Sequence, residues 1–286
     1  MIKLLLDHQA DVRLTNEDGF NALTLLSNRS NGTVEIATLL IEHGADVNEA
    51  TSANKPGSVY NTRSKDESPL MLALKNNNTN LAWFYIKNGA DVTVQDTKQK
   101  SLLFYTKDPD IMTHLIDQGL DPNKPDHFNN TPLSYAYSPE IVDVLIARGA
   151  KIDARNNNGW TPLRWNPKPE VFRRLLDHGA EIHDRDKDGK SLLFRVEDPG
   201  IYKMLLEKGL DVSETDPEGL TPLHYVVLSP GRHKTEIIQL LLDNGADINA
   251  VNKKGKTPLD YAHEDRTRKT LIEKGAVSGK PVSKHS

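Results

Sequence analysis

Glycine-led triplets, Gly-Ala-Asp or Gly-Leu-Asp and their variants, begin at Gly44, Gly89, Gly119, Gly149, Gly179, Gly209, Gly245 and Gly275. Gln9-Ala10-Asp11 is a degenerate first copy, and the four intervals from Gly89 to Gly209 are 30 residues each. A period of that length constrains the architecture before any single residue is weighed, because each period is one supersecondary unit too small to bury its own apolar face. A Thr-Pro-Leu or variant follows each triplet, led by Asn21, Ser68, Ser101, Thr131, Thr161, Ser191, Thr221 and Thr257. The chain therefore reads as one half unit followed by eight full units.

Within a unit, the residues eight, four and three before each glycine are apolar, as in Ile111/Leu115/Ile116, Ile141/Leu145/Ile146 and Val171/Leu175/Leu176. That spacing predicts one apolar face of a helix. Asp108-Pro109, Ser138-Pro139 and Asp198-Pro199 supply an N-cap followed by proline at the first helical position, where the missing N–H is harmless. The glycine stops the helix in the left-handed conformation. A second, shorter helix is expected to start at the Thr-Pro-Leu, with its threonine as cap. Stretches such as Asn156-Asn157-Asn158-Gly159 between the two read as tight projecting turns. A length of 286 residues would ordinarily suggest two domains, but units that lean only on neighbours predict one elongated domain over 1–276.

Asp247–Ala262, DINAVNKKGKTPLDYA, and His43–Asn48, HGADVN, resemble the ankyrin repeat, and the resemblance covers nearly the whole chain. It implies an all-α solenoid of helix–loop–helix units with β-hairpin-like fingers along one edge. Units three to six and eight depart from the family's usual 33 residues by lacking three residues between the helices. A longer echo is also present. Lys100–Asp121 and Lys190–Asp211 share twelve of twenty-two residues, which suggests duplication of a three-unit block, with or without a functional counterpart.

Extra residues lengthen one finger at 49–67 and the turns at Ser27–Thr33 and Ser229–Thr235. Insertions in repeats map to loops and often carry recognition, although the Asn/Ser/Lys-rich finger equally suits disorder. The chain opens inside a helix at Ile2–His8, so Leu4, Leu5 and Leu6 are expected to show apolar surface, either as a makeshift cap or as part of a longer protein. Thr267, amid charged neighbours, is expected to face water in the last unit, and 277–286 to be a disordered tail.

The absence of cysteine excludes disulfides, thiolate metal sites and a cysteine nucleophile. With no long apolar run the chain offers no membrane span, and a net charge of −4 with scattered signs offers no footprint for nucleic acid. Asp184-Arg185-Asp186-Lys187-Asp188-Gly189 matches the first half of a calcium-binding EF-hand loop, but Arg195 stands where the closing glutamate is needed. The ten histidines have no metal-ligand spacing, with His114 assigned to packing, and no nucleophile elbow, phosphate loop or dinucleotide fingerprint is present. No cofactor, metal or enzymatic activity is called for. Four Asn-x-Ser/Thr sequons would matter only in a secretory route.

What remains is recognition by side chains that vary from copy to copy. The resemblance implies that these are the finger residues before each threonine and the open side of the first helix. Large aromatics and arginine dominate interface energies, so Phe128 and Trp160 are the anchor candidates, with Phe20 third and His127 and Asn130 beside them. Each ring either meets a partner or folds onto a neighbouring finger. Trp165, in the column of Tyr105, Tyr135, Tyr225 and Tyr261, is expected to fill space between units. Arg164, Arg195, Lys187 and Lys190 could form a basic stripe for an acidic partner. The expected function is a cytoplasmic, monomeric protein-binding module, working by occlusion as an inhibitor or immunity-type protein. The alternatives are a scaffold or effector bridging two proteins, or the regulatory part of a longer enzyme.

Overall fold

A computed structural model describes residues 2–29, 32–51, 67–166 and 168–279. The chain divides into two compact units, Met1–Lys151 and Ile152–Ser286. The first contains α1 (Ile2–Asp7), α2 (Ala22–Ser27), α3 (Val34–Glu42), α4 (Pro69–Lys75), α5 (Thr79–Lys87), α6 (Pro109–Asp117) and α7 (Pro139–Ala147), with single 3₁₀ turns at Leu102–Phe104 and Pro132–Tyr135. The second contains α8 (Pro162–Trp165), α9 (Pro169–Asp177), α10 (Pro199–Glu207), α11 (Pro222–Leu228), α12 (Lys234–Asp243) and α13 (Asp265–Glu273), with 3₁₀ turns at Leu192–Phe194 and Pro258–Tyr261. Among the described residues there is no strand; one isolated bridge, Gln95 to Ser101, is the nearest approach to a hairpin. No described helix is long and apolar enough to cross a membrane.

The longer helix of each repeat ends as the glycines predict. In α7, Gly149 has φ +86°; its N–H donates to the Ile146 carbonyl at 3.0 Å, and that of Ala150 donates to Leu145 at 2.9 Å. This is the paired bonding of a Schellman motif, and it satisfies carbonyls that the helix end would otherwise strand. A Cβ at Gly149 would meet nothing within 4 Å, so the glycine is required by backbone conformation and not by space.

The buried face differs in one column from expectation. Ile111 and Leu115 are buried, as are their equivalents, but the third buried residue is the next in chain, Met112, Val142, Phe172, Tyr202 or Ile238. Ile116, Ile146 and Leu176 are only half-buried. The contact stripe is thus i, i+1, i+4, wrapped toward the shorter helix of the same repeat.

That shorter element is a full helix only in α2, α4 and α11. Where three residues are missing, it shrinks to one turn, because the next helix starts too soon after it; in four of these five copies a proline opens that helix and holds its predecessor in extended conformation, and in the last Glu264 is extended without one. The expected threonine caps also need correction. Thr131 and Thr161 accept no cap bond, nor does Ser138, whereas Asp108 and Asp198 do cap their helices. A helix start is satisfied differently where an acceptor sits three residues on: the Thr221 N–H donates to His224 Nδ1 at 3.1 Å and the Thr257 N–H to Asp260 at 2.8 Å. Ser134 and Arg164 hold that place in the copies led by Thr131 and Thr161 and do not serve as such acceptors.

Adjacent repeats are stitched by side-chain amides. Asn48 donates to the Gly89 carbonyl and accepts from Asp91 N–H, and Asn249 does the same with Gly275 and Val277. This last bond orders residue 277, which together with 278 and 279 was expected to be disordered; the Gly279 N–H also donates to Asp260. Residues 280–286 lie outside the described residues, as does the expected long finger apart from 49–51 and Glu67. Those two ends are joined, with Thr51 N–H donating to the Glu67 carbonyl at 3.0 Å. Thr267 faces inward at 3% exposure, its hydroxyl bonded to Glu264, so the last unit is not wet at that position. Leu4 and Leu5 are exposed as expected, while Leu6 is buried.

His224 is fully buried, and burial lowers its pKa below the ordinary 6.5. Its Nδ1 accepts from Thr221 N–H, so Nε2 carries the proton facing the Lys256 carbonyl at 3.2 Å in the next repeat. A lowered folded-state pKa means the unfolded chain binds the proton first. Stability from this residue is therefore complete above about pH 6.5 and is lost as pH falls below it. Melting temperature is expected to drop more for wild type than for His224→Gln between pH 7.5 and 5.5, and His224→Ala is expected to lose about 1–2 kcal/mol at neutral pH, both read by thermal denaturation.

Candidate partner-binding surface

Each finger among the described residues is built on an Asp or Asn. In Asp186-Lys187-Asp188-Gly189-Lys190, one carboxylate oxygen accepts the N–H groups of Asp188 and Lys190 at 3.0 and 2.9 Å, and Gly189, at φ +76°, closes the turn. Asp96, Asp126, Asn156, Asp216 and Asn252 repeat this arrangement. It pins the residue just before each threonine, which is why that position points reproducibly.

The second polar atom of the finger's Asp or Asn is held by the tyrosine nine residues on. Tyr225 donates to Asp216 at 2.9 Å, Tyr135 lies 3.4 Å from Asp126, Tyr105 bonds Asp96, and Asn252 donates to Tyr261 at 2.7 Å. Burial, then Asp126, pushes the Tyr135 phenol up to about 12, so the clamp keeps its proton throughout the neutral range. Two successive repeats of the second unit lack the tyrosine: Trp165 and Arg195 occupy the column. Asp186 is instead engaged by Arg164 at 3.4 Å, and Arg164 also donates to the Lys190 carbonyl.

Released from its own finger, the Arg195 guanidinium lies over the Trp160 ring, 4.1 Å from its centre. The pair has a register. Lys100 lies over Tyr135 at 3.8 Å and Lys190 over Tyr225 at 5.0 Å, each pair separated by the same 35 positions. Trp160 and Arg195 are that pair with cation and ring exchanged. Trp160 also packs against Trp165, ring centres 5.8 Å apart, so Trp165 is both filler and part of the surface.

Arg164, Trp165 and Arg195 line an open pocket of about 440 Å³ together with Asn166, Glu197, Asp198, Arg232 and His233. Arg232 and His233 come from the lengthened turn at Ser229–Thr235. That insertion was legible as a loop, but its return to this place was not.

The remaining expected residues separate by burial. In the first unit Phe128 is 51% exposed, with His127 exposed and edge-on to it at 5.4 Å, while the His127 N–H donates to the Lys98 carbonyl at 2.8 Å. Asn130 is 1% exposed and Phe20 8%; both serve packing, which corrects their expected place on the surface. Arg164 is likewise enclosed, at 5%, because the next repeat's finger folds over it. Lys187 is exposed and reaches the Asn157 carbonyl of the preceding finger. Phe128 and Trp160 fall in different units, and each is placed only within its own.

The calcium-like segment is occupied by protein. Arg155 pairs with Asp184, Arg164 with Asp186, and Asp186 supports its own finger. Among the described residues no group of three or more His, Cys, Asp or Glu is arranged for a metal ion. His114 packs edge-on against Trp83 at 5.2 Å.

The exchanged pair yields a test. Trp160→Lys places two cations together and forfeits the ring, which is expected to reduce stability by about 0.5–1 kcal/mol. Adding Arg195→Tyr in that background rebuilds the arrangement of Lys190 and Tyr225, with a hydroxyl able to reach Asp186. Chemical denaturation is expected to show the double variant recovering most of the loss, a coupling that independent sites would not show.

The family model for ankyrin repeats in three copies matches residues 1–96, 101–186 and 192–280. No curated protein matches in sequence. Among solved structures, the human ASB11 ankyrin repeat domain is similar with a TM-score of 0.62 and 24% identity, covering 76% of this chain and all of that one. The ankyrin repeat domain of Bcl-3, described as a member of the IkappaB family, is similar with a TM-score of 0.53 and 23% identity, covering 72% of this chain and 98% of that one. Family match, helix-ending glycines and finger turns agree, and the chain belongs to the ankyrin repeat family.

Proposed function

We propose that this chain is a non-enzymatic protein-binding protein that holds a partner on the side of its repeats bearing the finger residues and the shorter helices. Ankyrin repeat domains generally serve protein–protein interaction. The observation that carries the reading is the Trp160–Arg195 stack: an aromatic and a guanidinium, the side chains richest in interface energy, held in fixed geometry beside an open pocket. Such preorganisation lowers the ordering penalty of association. Phe128, with His127, is a second anchor in the first unit. Lys187 and Lys190 belong to the rim. The finer reading is occlusion, in which the repeats cover a functional surface of the partner as an inhibitor or immunity-type protein. The 30-residue register runs through position 151 without an inserted residue, which supports residues 1–276 acting as one domain. A cytoplasmic setting belongs to the same proposal and rests only on the cysteine-free composition.

One observation favours a bridging scaffold as the second reading. The duplicated block repeats its surface chemistry, Lys100 over Tyr135 in the first unit and Lys190 over Tyr225 in the second, so two like segments have equivalent seats.

Capture of partners from the native host, compared between wild type and a Phe128→Ala/Trp160→Ala variant, tests the surface. The double variant is expected to lose the captured protein about tenfold or more, as two anchor truncations of 1 kcal/mol or above imply; unchanged capture rejects these anchors. Sedimentation of the purified complex separates the readings, one partner per chain for occlusion and two for bridging.

A further inference from the structure

Resting on that protein-binding reading, we infer that the pocket beside Trp160 receives an acidic, extended segment of the partner, with carboxylates meeting Arg195 and Arg232. The chain is acidic overall, with a formal charge of −4, yet cations are gathered on this side. Arg164, Arg195, Arg232 and His233 line the pocket. Lys190 and Lys256 stand over Tyr225 and Tyr261 in the same unit. The first unit has the same chemistry independently, with Lys75 over Tyr105 at 4.4 Å and Lys107 over Tyr137 at 4.7 Å.

The pocket's own carboxylates are turned to internal work. Asp198 caps α10 through the Ile201 N–H at 2.9 Å, and Glu197 accepts from the Ser229 hydroxyl at 3.0 Å. Arg164 is spent on Asp186 and on the Asp184 and Lys190 carbonyls. Among the described residues neither Arg195 nor Arg232 forms an ion pair. Arg195 rests on the Trp160 face and feels the charge of Glu197 across the pocket, but no hydrogen bond or ion pair holds its fork of donors, which can take a carboxylate in two-point geometry. Trp160 backs the guanidinium, and Trp165 and Val196, which line the pocket, supply apolar surface for the stem of the incoming residue.

A nucleic acid fits less well. Its charges recur at every nucleotide, and a polyphosphate track would run against Glu197 and Asp198. An acidic peptide can place a carboxylate at each arginine and leave neutral residues beside those two. The volume of about 440 Å³ holds a few side chains, the scale of a linear segment.

Fluorescence anisotropy with a labelled glutamate–tyrosine random copolymer tests this, alongside a lysine–tyrosine copolymer and single-stranded oligothymidine of similar length. Wild type is expected to bind the acidic copolymer, to ignore the basic one, and to weaken as salt rises. Arg195→Gln/Arg232→Gln is expected to lose about tenfold in affinity, one decade being about 1.4 kcal/mol. Arg232→Gln alone, at an exposed position whose loss leaves the fold intact, is expected to lose about threefold, whereas Lys203→Gln on α10, where Lys203 pairs with Glu207, leaves binding unchanged. No binding of the acidic copolymer, binding indifferent to both arginine variants, or tighter binding of oligothymidine through the same arginines overturns the inference. The protein-binding reading is judged separately, by capture that depends on Phe128 and Trp160, so either can fail without the other.

Discussion

The governing constraint is that two short helices cannot cover their own apolar faces. The longer helices span nine or ten residues in most repeats, and the shorter ones only three to seven. Isolated helices of that length are marginal in water. Each becomes stable only when the buried stripe of one repeat, such as Ile201, Tyr202 and Leu205, is closed by its neighbours. Everything else preserves that contact: glycines that end helices without stranding carbonyls, and asparagines such as Asn249 that tie one repeat's loop to the backbone of the next.

The fingers carry the second consequence. An Asp or Asn supports each described turn with one oxygen, and in four of these repeats its second polar atom is clamped by a tyrosine on the same repeat. Where Arg195 replaces tyrosine, Asp186 is held instead by Arg164 from the preceding repeat, and Arg195 is freed to stack on Trp160. A structural column thereby becomes a place for recognition without loss of the finger. The neighbouring insertion then adds Arg232 and His233, and this part of the second unit acquires a pocket lined by side chains that the repeat pattern does not supply.

Legibility followed the range of the interactions. The helix stops, proline starts and repeat register are local and were readable. The single-turn helices were half-readable: the three missing residues were evident, while the collapse of the helix to one turn came from how soon the next helix begins, with or without a proline to open it. Trp160 and Arg195 were both identifiable as residue types suited to binding, but their contact spans 35 positions and depends on how one finger lies over the next repeat's inner turn. Arg164 looked like a surface residue because its partners, Asp184, Asp186 and Lys190, lie 20 or more residues on, and Asn130 because its place between Asp126 and Tyr135 is made only when the finger turns back on its own short helix. Thr267 was misplaced for a different reason, its polarity suggesting water where Glu264, three residues earlier, satisfies its hydroxyl.

The order of residues was sufficient to specify the repeat unit, its boundaries and the family, since those depend on backbone conformations that glycine and proline dictate locally. Which variable side chains face outward was settled by packing between repeats. Exposure belongs to the assembled stack, and the same position before the threonine holds a buried Asn130, a half-buried Trp160 and a buried Phe20 according to what the adjoining repeat lays against it.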